Sequence, residues 1–362
     1  MPNFSETILQ AGSVPSVIIS VALMLFAGFL MTRITKLLRL PNVTAYIVTG
    51  ILIGPYCLRL IPQSIIDGTD FLSDIALAFI AFSTGEFFKL DVLKRSGARV
   101  VWITIFEAVL ASVLVFILTF FILHLDLAFS IVLAALASAT APASTMMTIR
   151  QTGAKGEFVD TLLQVVALDD VVGLVLYSVA ISVALSSLHG AGGFSFETLV
   201  KPILINLAVL LLGGIFGLAM KLLMPKKRST DNKLIISVAL LFAFCGVCAL
   251  LDVSPLLGCM SMGTVYTNIA EDDKLFKQLA YFSPPILLLF FVRSGMSFRL
   301  DALFSDSGAL NGVPLIAIGI SYFLVRILGK YLGAWLGCFL TKRSKELRRY
   351  LGLALIPQAG VA

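Results

Sequence analysis

The sequence predicts an all-α, polytopic membrane protein, on three observations: an apolar composition, a succession of apolar runs suited to crossing a bilayer, and basic residues confined to alternate connections. Of the 362 residues, 59% are hydrophobic and 13% charged, with a mean hydropathy of +1.00, whereas soluble domains carry about 25% charged residues. That excludes an ordinary soluble enzyme, a disordered chain and a nucleic-acid binder. The net charge of +6 and the pI near 9.1 therefore orient the chain in the bilayer and do not signal nucleic acid.

A helix needs about 20 apolar residues to cross the hydrocarbon core. The first six spans are read as Val14–Leu38, Val43–Leu60, Phe71–Phe88, Ala98–Leu123, Leu127–Gln151 and Phe158–Leu188. Six more follow: Leu199–Met224, Lys233–Leu251, Pro255–Asn268, Pro284–Phe304, Val313–Leu340 and Leu347 to the end. Asp272–Phe282 places Leu275, Leu279 and Phe282 on one face and charge on the other, which reads as a short interfacial helix. Met1 to Ser13 carries Glu6 and no Lys or Arg, so no signal peptide opens the chain.

One set of connections holds Arg33, Lys36, Arg39; Lys89, Lys94, Arg95, Arg99; Arg150, Lys155; Lys221, Lys226, Lys227, Arg228, Lys233; Lys274, Lys277; and Lys342, Arg343, Lys345, Arg348, Arg349. The opposite set holds Arg59, Lys201 and Arg299. By the positive-inside rule the first set is cytoplasmic and the N-terminus lies outside a cell membrane.

Two spans are interrupted. Ser138-Ala139-Thr140-Ala141-Pro142 breaks the fifth, and Ile356-Pro357-Gln358-Ala359-Gly360 breaks the twelfth. Breaks seven spans apart suggest one transporter domain built as an inverted repeat: residues 1–188 as the first half, 199–224 as a linker helix, and 233–362 as the second half. That scheme leaves a thirteenth span missing after Ala362.

Asp169 and Asp170 interrupt the run Val165 to Gly173 about 17 Å from the span's start, near the bilayer centre. Two adjacent carboxylates at that depth are rarely tolerated as packing, which makes them candidate ion ligands. Thr140, Pro142, Pro357 and Arg326 reach comparable depth, and the free carbonyls of broken helices can coordinate a cation. Arg326 needs a partner there, for which a carboxylate of the pair is the nearest candidate; Arg293 is a second candidate partner. Lys330, one turn nearer the cytoplasm, reads as a snorkelling side chain. Glu107 divides evenly between a buried structural acid and a proton relay. Gly329, Gly333 and Gly337, like Gly213 and Gly217, have a spacing that more often means close helix packing than a dimer seam.

These residues together resemble the cation/proton antiporter superfamily, particularly bacterial Na+/H+ antiporters and their Kef-type relatives, over nearly the whole chain. The resemblance is carried by Leu40-Pro41-Asn42-Val43-Thr44-Ala45-Tyr46, Gly50-Ile51-Leu52-Ile53-Gly54-Pro55, the Thr140-Ala141-Pro142 break, Asp169-Asp170, Phe290-Phe291 with Gly295-Met296, and Arg326-Ile327-Leu328-Gly329. It implies an inverted-repeat fold with two crossing broken helices, a homodimer, and a mobile core that carries the ion. It further implies that Asp170 binds cation or proton in turn, with Thr140 beside it, and that Asp169 pairs with a basic residue, here Arg326. Asp-Asp suggests the electrogenic type, although many such members carry Lys where Arg326 stands, and Arg293 occupies a position that is usually apolar.

The chemistry is competition for one carboxylate: desolvation favours its protonated form and a bound cation its ionised form, so the two exclude one another. Na+ is the expected cation, with K+ and Li+ as alternatives and Kef-type K+/H+ exchange still open. No cofactor is expected, since no phosphate-binding loop or zinc-ligand spacing occurs. An intramembrane aspartyl protease needs both carboxylates at one point, and helix neighbours diverge by about 100°. A cation channel would need a continuous pore.

Overall fold

A computed structural model describes residues 12–38, 40–90, 97–188, 196–225, 228–270, 273–301 and 310–358. Most of the segment ahead of the first span, along with Ala359 and Gly360, lies outside the described residues. Within them the chain is helical, and its one β-bridge, Leu310 with Val313, is isolated.

The first half contains α1 (Ser13–Leu37), α2 (Asn42–Ile53), a short α3 (Gln63–Gly68), α4 (Phe71–Gly85) and α5 (Ala98–Phe116), which continues as a π-helical turn over Ile117–Ile122. Then come α6 (Leu127–Ser138), α7 (Pro142–Thr152) and α8 (Glu157–Leu188). After α9 (Phe196–Leu223) follow α10 (Thr230–Leu250), α11 (Leu256–Ala270), α12 (Asp273–Phe282), α13 (Pro284–Met296), α14 (Leu315–Leu340) and α15 (Lys345–Ala354).

Six of these helices are long and apolar enough to cross a membrane: Ser13–Leu37, Ala98–Ile122, Glu157–Ile181, Ile203–Leu223, Thr230–Leu250 and Leu315–Leu340. Others end short of the expected runs for local reasons. The second stops at Ile53 because Gly54 precedes Pro55 and takes an extended conformation (φ −72°, ψ −177°). The twelfth expected span is helical only to Ala354, and Ile356 to Gln358 are unwound. Between α12 and α13 the axis bends by 50°. Leu275, Phe276 and Leu279 of α12 are buried while Phe282 is half exposed, so the apolar face includes Phe276 rather than Phe282.

The three largest apolar clusters among the described residues hold most of the helices together. One joins α4 to α9 through α12, a second joins α1, α2 and α13, and a third gathers Val100 and Ile103 of α5, Leu162, Val165 and Val166 of α8, Ala334 and Cys338 of α14, and Leu347 and Leu351 of α15. The outer face of α9 stays apolar at Leu204, Leu211, Ile215 and Leu222, as lipid contact requires.

The G-x-x-x-G stripe of α14 packs within the chain, against α5. A Cβ at Gly333 would lie 2.5 Å from Glu107 Cα, so no larger residue fits there without displacing the helix. This crossing seats Glu107 beside α14 at the level of Lys330.

Candidate functional site

The fifth span is broken as expected. α6 ends at Ser138, Ala139 and Ala141 are extended (ψ 136° and 104°), and α7 restarts at Pro142. Proline supplies no N–H and pushes the preceding residue out of the helical region, so the break is written into Ala141-Pro142. The unwound ends of the two broken segments meet: the Ala141 N–H donates to the Pro357 carbonyl at 2.9 Å.

A helix ending in the membrane interior leaves its last four carbonyls without intrahelical donors. Here each has one. Ser138 Oγ donates to Ala135 O at 2.7 Å, Gln358 Nε2 to Leu136 O at 3.3 Å, Arg326 Nε to Ala137 O at 3.1 Å, and Lys330 Nζ to Ser138 O. Arg326 also donates through Nη2 to Ala139 O at 2.8 Å and through Nη1 to Ile356 O at 2.6 Å. Two fixed positive charges thus sit at the negative end of α6, and one guanidinium joins both breaks.

The carboxylates lie on the other side of Lys330. Its Nζ is 2.9 Å from Asp169 Oδ2 and 2.6 Å from Glu107 Oε2, and it donates to Thr140 Oγ1 at 3.1 Å. Arg326, Lys330, Glu107 and Asp169 are 0% exposed and Asp170 8%. No hydrogen bond or ion pair engages Asp170 among the described residues. One turn further along α8, Gly173 rests on the break, where a Cβ would be 3.4 Å from Ser138 Oγ.

This geometry departs from the sequence expectation at Arg326, Lys330 and Arg293, and it adds Glu107 to the cluster. The basic partner of Asp169 is Lys330, because Arg326 spends its donors on backbone carbonyls. Lys330 does not snorkel; it is enclosed between two carboxylates. Glu107 belongs to the cluster, a placement signalled only by its register with the small-residue stripe of α14. Arg293 is held elsewhere, paired with Asp70 and donating to Ser73 Oγ at 3.0 Å and Ile66 O at 3.3 Å. It ties α13 to the segment between α3 and α4, which accounts physically for a charge at that position. Pro142 lies at the break between α6 and α7, and Pro357 lies in the unwound segment that follows α15, the last part of the described residues.

Residues 21–362 match the family described as "sodium/hydrogen exchanger, transmembrane". The chain belongs to this family. Among individual proteins, it is 22% identical over 343 residues to the ammonium/H+ antiporter subunit AmhT of Alkalihalophilus pseudofirmus, covering 93% of this chain and 82% of that protein. It is 25% identical over 297 residues to the iron transporter MagA of Paramagnetospirillum magneticum, covering 81% of this exchanger and 65%, just under two thirds, of MagA. Its fold resembles that of the sodium proton antiporter MjNhaP1 from Methanocaldococcus jannaschii. One structure, at pH 8, gives a TM-score of 0.71 at 20% identity over 94% of this chain and 83% of that one. An electron-microscopy structure gives 0.73 at 19% identity over 95% and 84%.

Proposed function

We propose that this exchanger carries a monovalent cation, Na+ in the first instance, across the membrane in exchange for protons, with Asp170 taking cation and proton in turn. One observation carries the assignment: of two adjacent buried acids, Asp169 is ion-paired with Lys330 while Asp170 has no hydrogen bond or ion pair among the described residues. An unpaired carboxylate at this depth is costly unless it binds a proton or a cation, and it cannot hold both. Thr140 Oγ1 accepts one hydrogen bond from Lys330 and keeps a second lone pair for a cation. Asp169 sets the local charge through Lys330.

The inverted repeat belongs to this proposal and has geometric support. Under a seven-span relation, α2 corresponds to α11 and α4 to α13. The crossing of α2 on α13, where a Cβ at Gly50 would meet Val292 O at 1.9 Å, then mirrors that of α11 on α4, where one at Gly263 would meet Phe82 O at 2.1 Å. The packing of α5 on α14 maps onto itself. About twelve spans, an external N-terminus, a homodimer in the cell membrane and a core that moves as a unit complete the reading. The separate cluster joining α5, α8, α14 and α15 supports such a unit.

The name of AmhT favours one second reading, in which the cation is larger than Na+. Proteoliposomes with an imposed proton gradient separate the two. On the primary reading Na+ and Li+ release luminal protons at lower concentrations than K+ or NH4+; the reverse order selects the second reading.

A further inference from the structure

We propose that Arg343 and Arg348, at the basic end of α14, form a phosphate-binding site. Three guanidinium nitrogens there, Arg343 Nε and Nη2 and Arg348 Nε, are buried with no acceptor among the described residues. Arginine keeps its charge in proteins, so a buried, unanswered guanidinium N–H calls for an acceptor beyond the described residues. The two residues are in contact: Arg348 Nη2 donates to the Arg343 backbone carbonyl at 3.5 Å. Among the described residues the one acid at ion-pair distance is Glu157, 3.4 Å from Arg343 Nη1 and 68% exposed, too loose to neutralise the pair. Glu346 follows in the first turn of α15, while exposed Lys342, Lys345 and Arg349 add charge of the same sign as the arginines.

Local structure positions the two arginines. Lys342 adopts a left-handed conformation (φ 56°) and the Arg343 N–H returns to the Cys338 carbonyl at 2.9 Å, reversing the chain so that both arginines fall beneath the end of α14. Arg348 lies over the Phe339 ring at 5.1 Å. Trp335 and Phe339 stack at 5.4 Å and are partly exposed, as aromatic side chains at a membrane–water boundary commonly are. A tetrahedral phosphate accepts from two guanidinium forks at once. At this level it can come from an acidic phospholipid headgroup or from free phosphate, and a bound phosphate would fasten α14, which carries Arg326 and Lys330, to α15, which leads into the second break.

The test uses the purified full chain in detergent, with Tm measured against phosphatidylglycerol, phosphatidylcholine and inorganic phosphate. Phosphatidylglycerol should raise Tm beyond phosphatidylcholine in the wild type and in K342Q/K345Q, with apparent affinity about ten-fold weaker in R343Q/R348Q. A response to phosphatidylglycerol but not to inorganic phosphate identifies a headgroup site; a response to inorganic phosphate identifies a soluble anion. The proposal is overturned if no phosphate probe shifts Tm, if R343Q/R348Q responds like the wild type, or if K342Q/K345Q loses as much. Should R343Q/R348Q fail to fold, R343K replaces it, and native mass spectrometry of the wild type must find phosphatidylglycerol retained in preference to phosphatidylcholine.

Discussion

Lys330 and Asp169 form a fully buried ion pair, Nζ to Oδ2 2.9 Å, that spans α14 and α8. The same ammonium meets Glu107 and the end of α6, so four elements converge on one charge. Removing one member of a buried pair costs more than the pair itself contributes, because the other charge is left unanswered.

Lys330→Met should therefore destabilise the protein by about 3–5 kcal/mol, part of which returns when Asp169→Asn is added. A double-mutant cycle in detergent unfolding reads the coupling. The corresponding cycle between Arg326 and Asp169 should show a smaller coupling, since no hydrogen bond or ion pair joins them.

Arg326 acts on the backbone. Arg326→Ala strips donors from Ala137, Ala139 and Ile356, at about 1.5–3 kcal/mol for each hydrogen bond to a charged group. Arg326→Lys should recover little, because one ammonium cannot replace a fork aimed at two breaks. Hydrogen exchange should rise at Ala141, whose N–H bridges the breaks, before it rises in α8.

Gly333→Ala tests the crossing that brings Glu107 to Lys330. The added methyl would fall 2.5 Å from Glu107 Cα, and overpacking of this kind costs about 1–3 kcal/mol. Gly319→Ala, on the same helix with nothing within 4 Å of the new methyl, should leave Tm unchanged or slightly raised. Equal effects of the two substitutions would remove the close approach from the account.

The breaks and the acid pair were legible in the sequence because they violate an apolar pattern where lipid tolerates no violation. The partner of Asp169 was not. Arg326 and Lys330 lie one turn apart on one face, and depth alone favoured the arginine. What decides between them is backbone geometry: the end of α6 offers carbonyls that fit a guanidinium, and the α5–α14 contact walls Lys330 off from water. The stripe of Gly329, Gly333 and Gly337 signalled that contact, but its partner helix is a tertiary fact. The long spans were legible, since Val14–Leu38, Phe158–Leu188 and Val313–Leu340 fall within a few residues of α1, α8 and α14; the second span, read to Leu60, stops instead at Ile53 ahead of Gly54-Pro55.

Arg293→Gln should leave exchange intact while lowering Tm, since its contacts are with Asp70, Ser73 and Ile66 and none is with the acid pair. Flux and melting measured on the same preparation decide this. A loss of flux without a loss of stability would return Arg293 to the site.

The most direct measurement is cation-driven proton release from proteoliposomes containing Asp170→Asn. The substitution keeps the side chain's shape, removes its titratable charge and leaves the Lys330 pair untouched. The expected result is a protein that folds and inserts like the wild type, with Na+-dependent proton release reduced to that of empty vesicles across the pH range. Robust cation-dependent proton release by folded Asp170→Asn would contradict the account, because exchange would then run without the carboxylate for which the two ions compete.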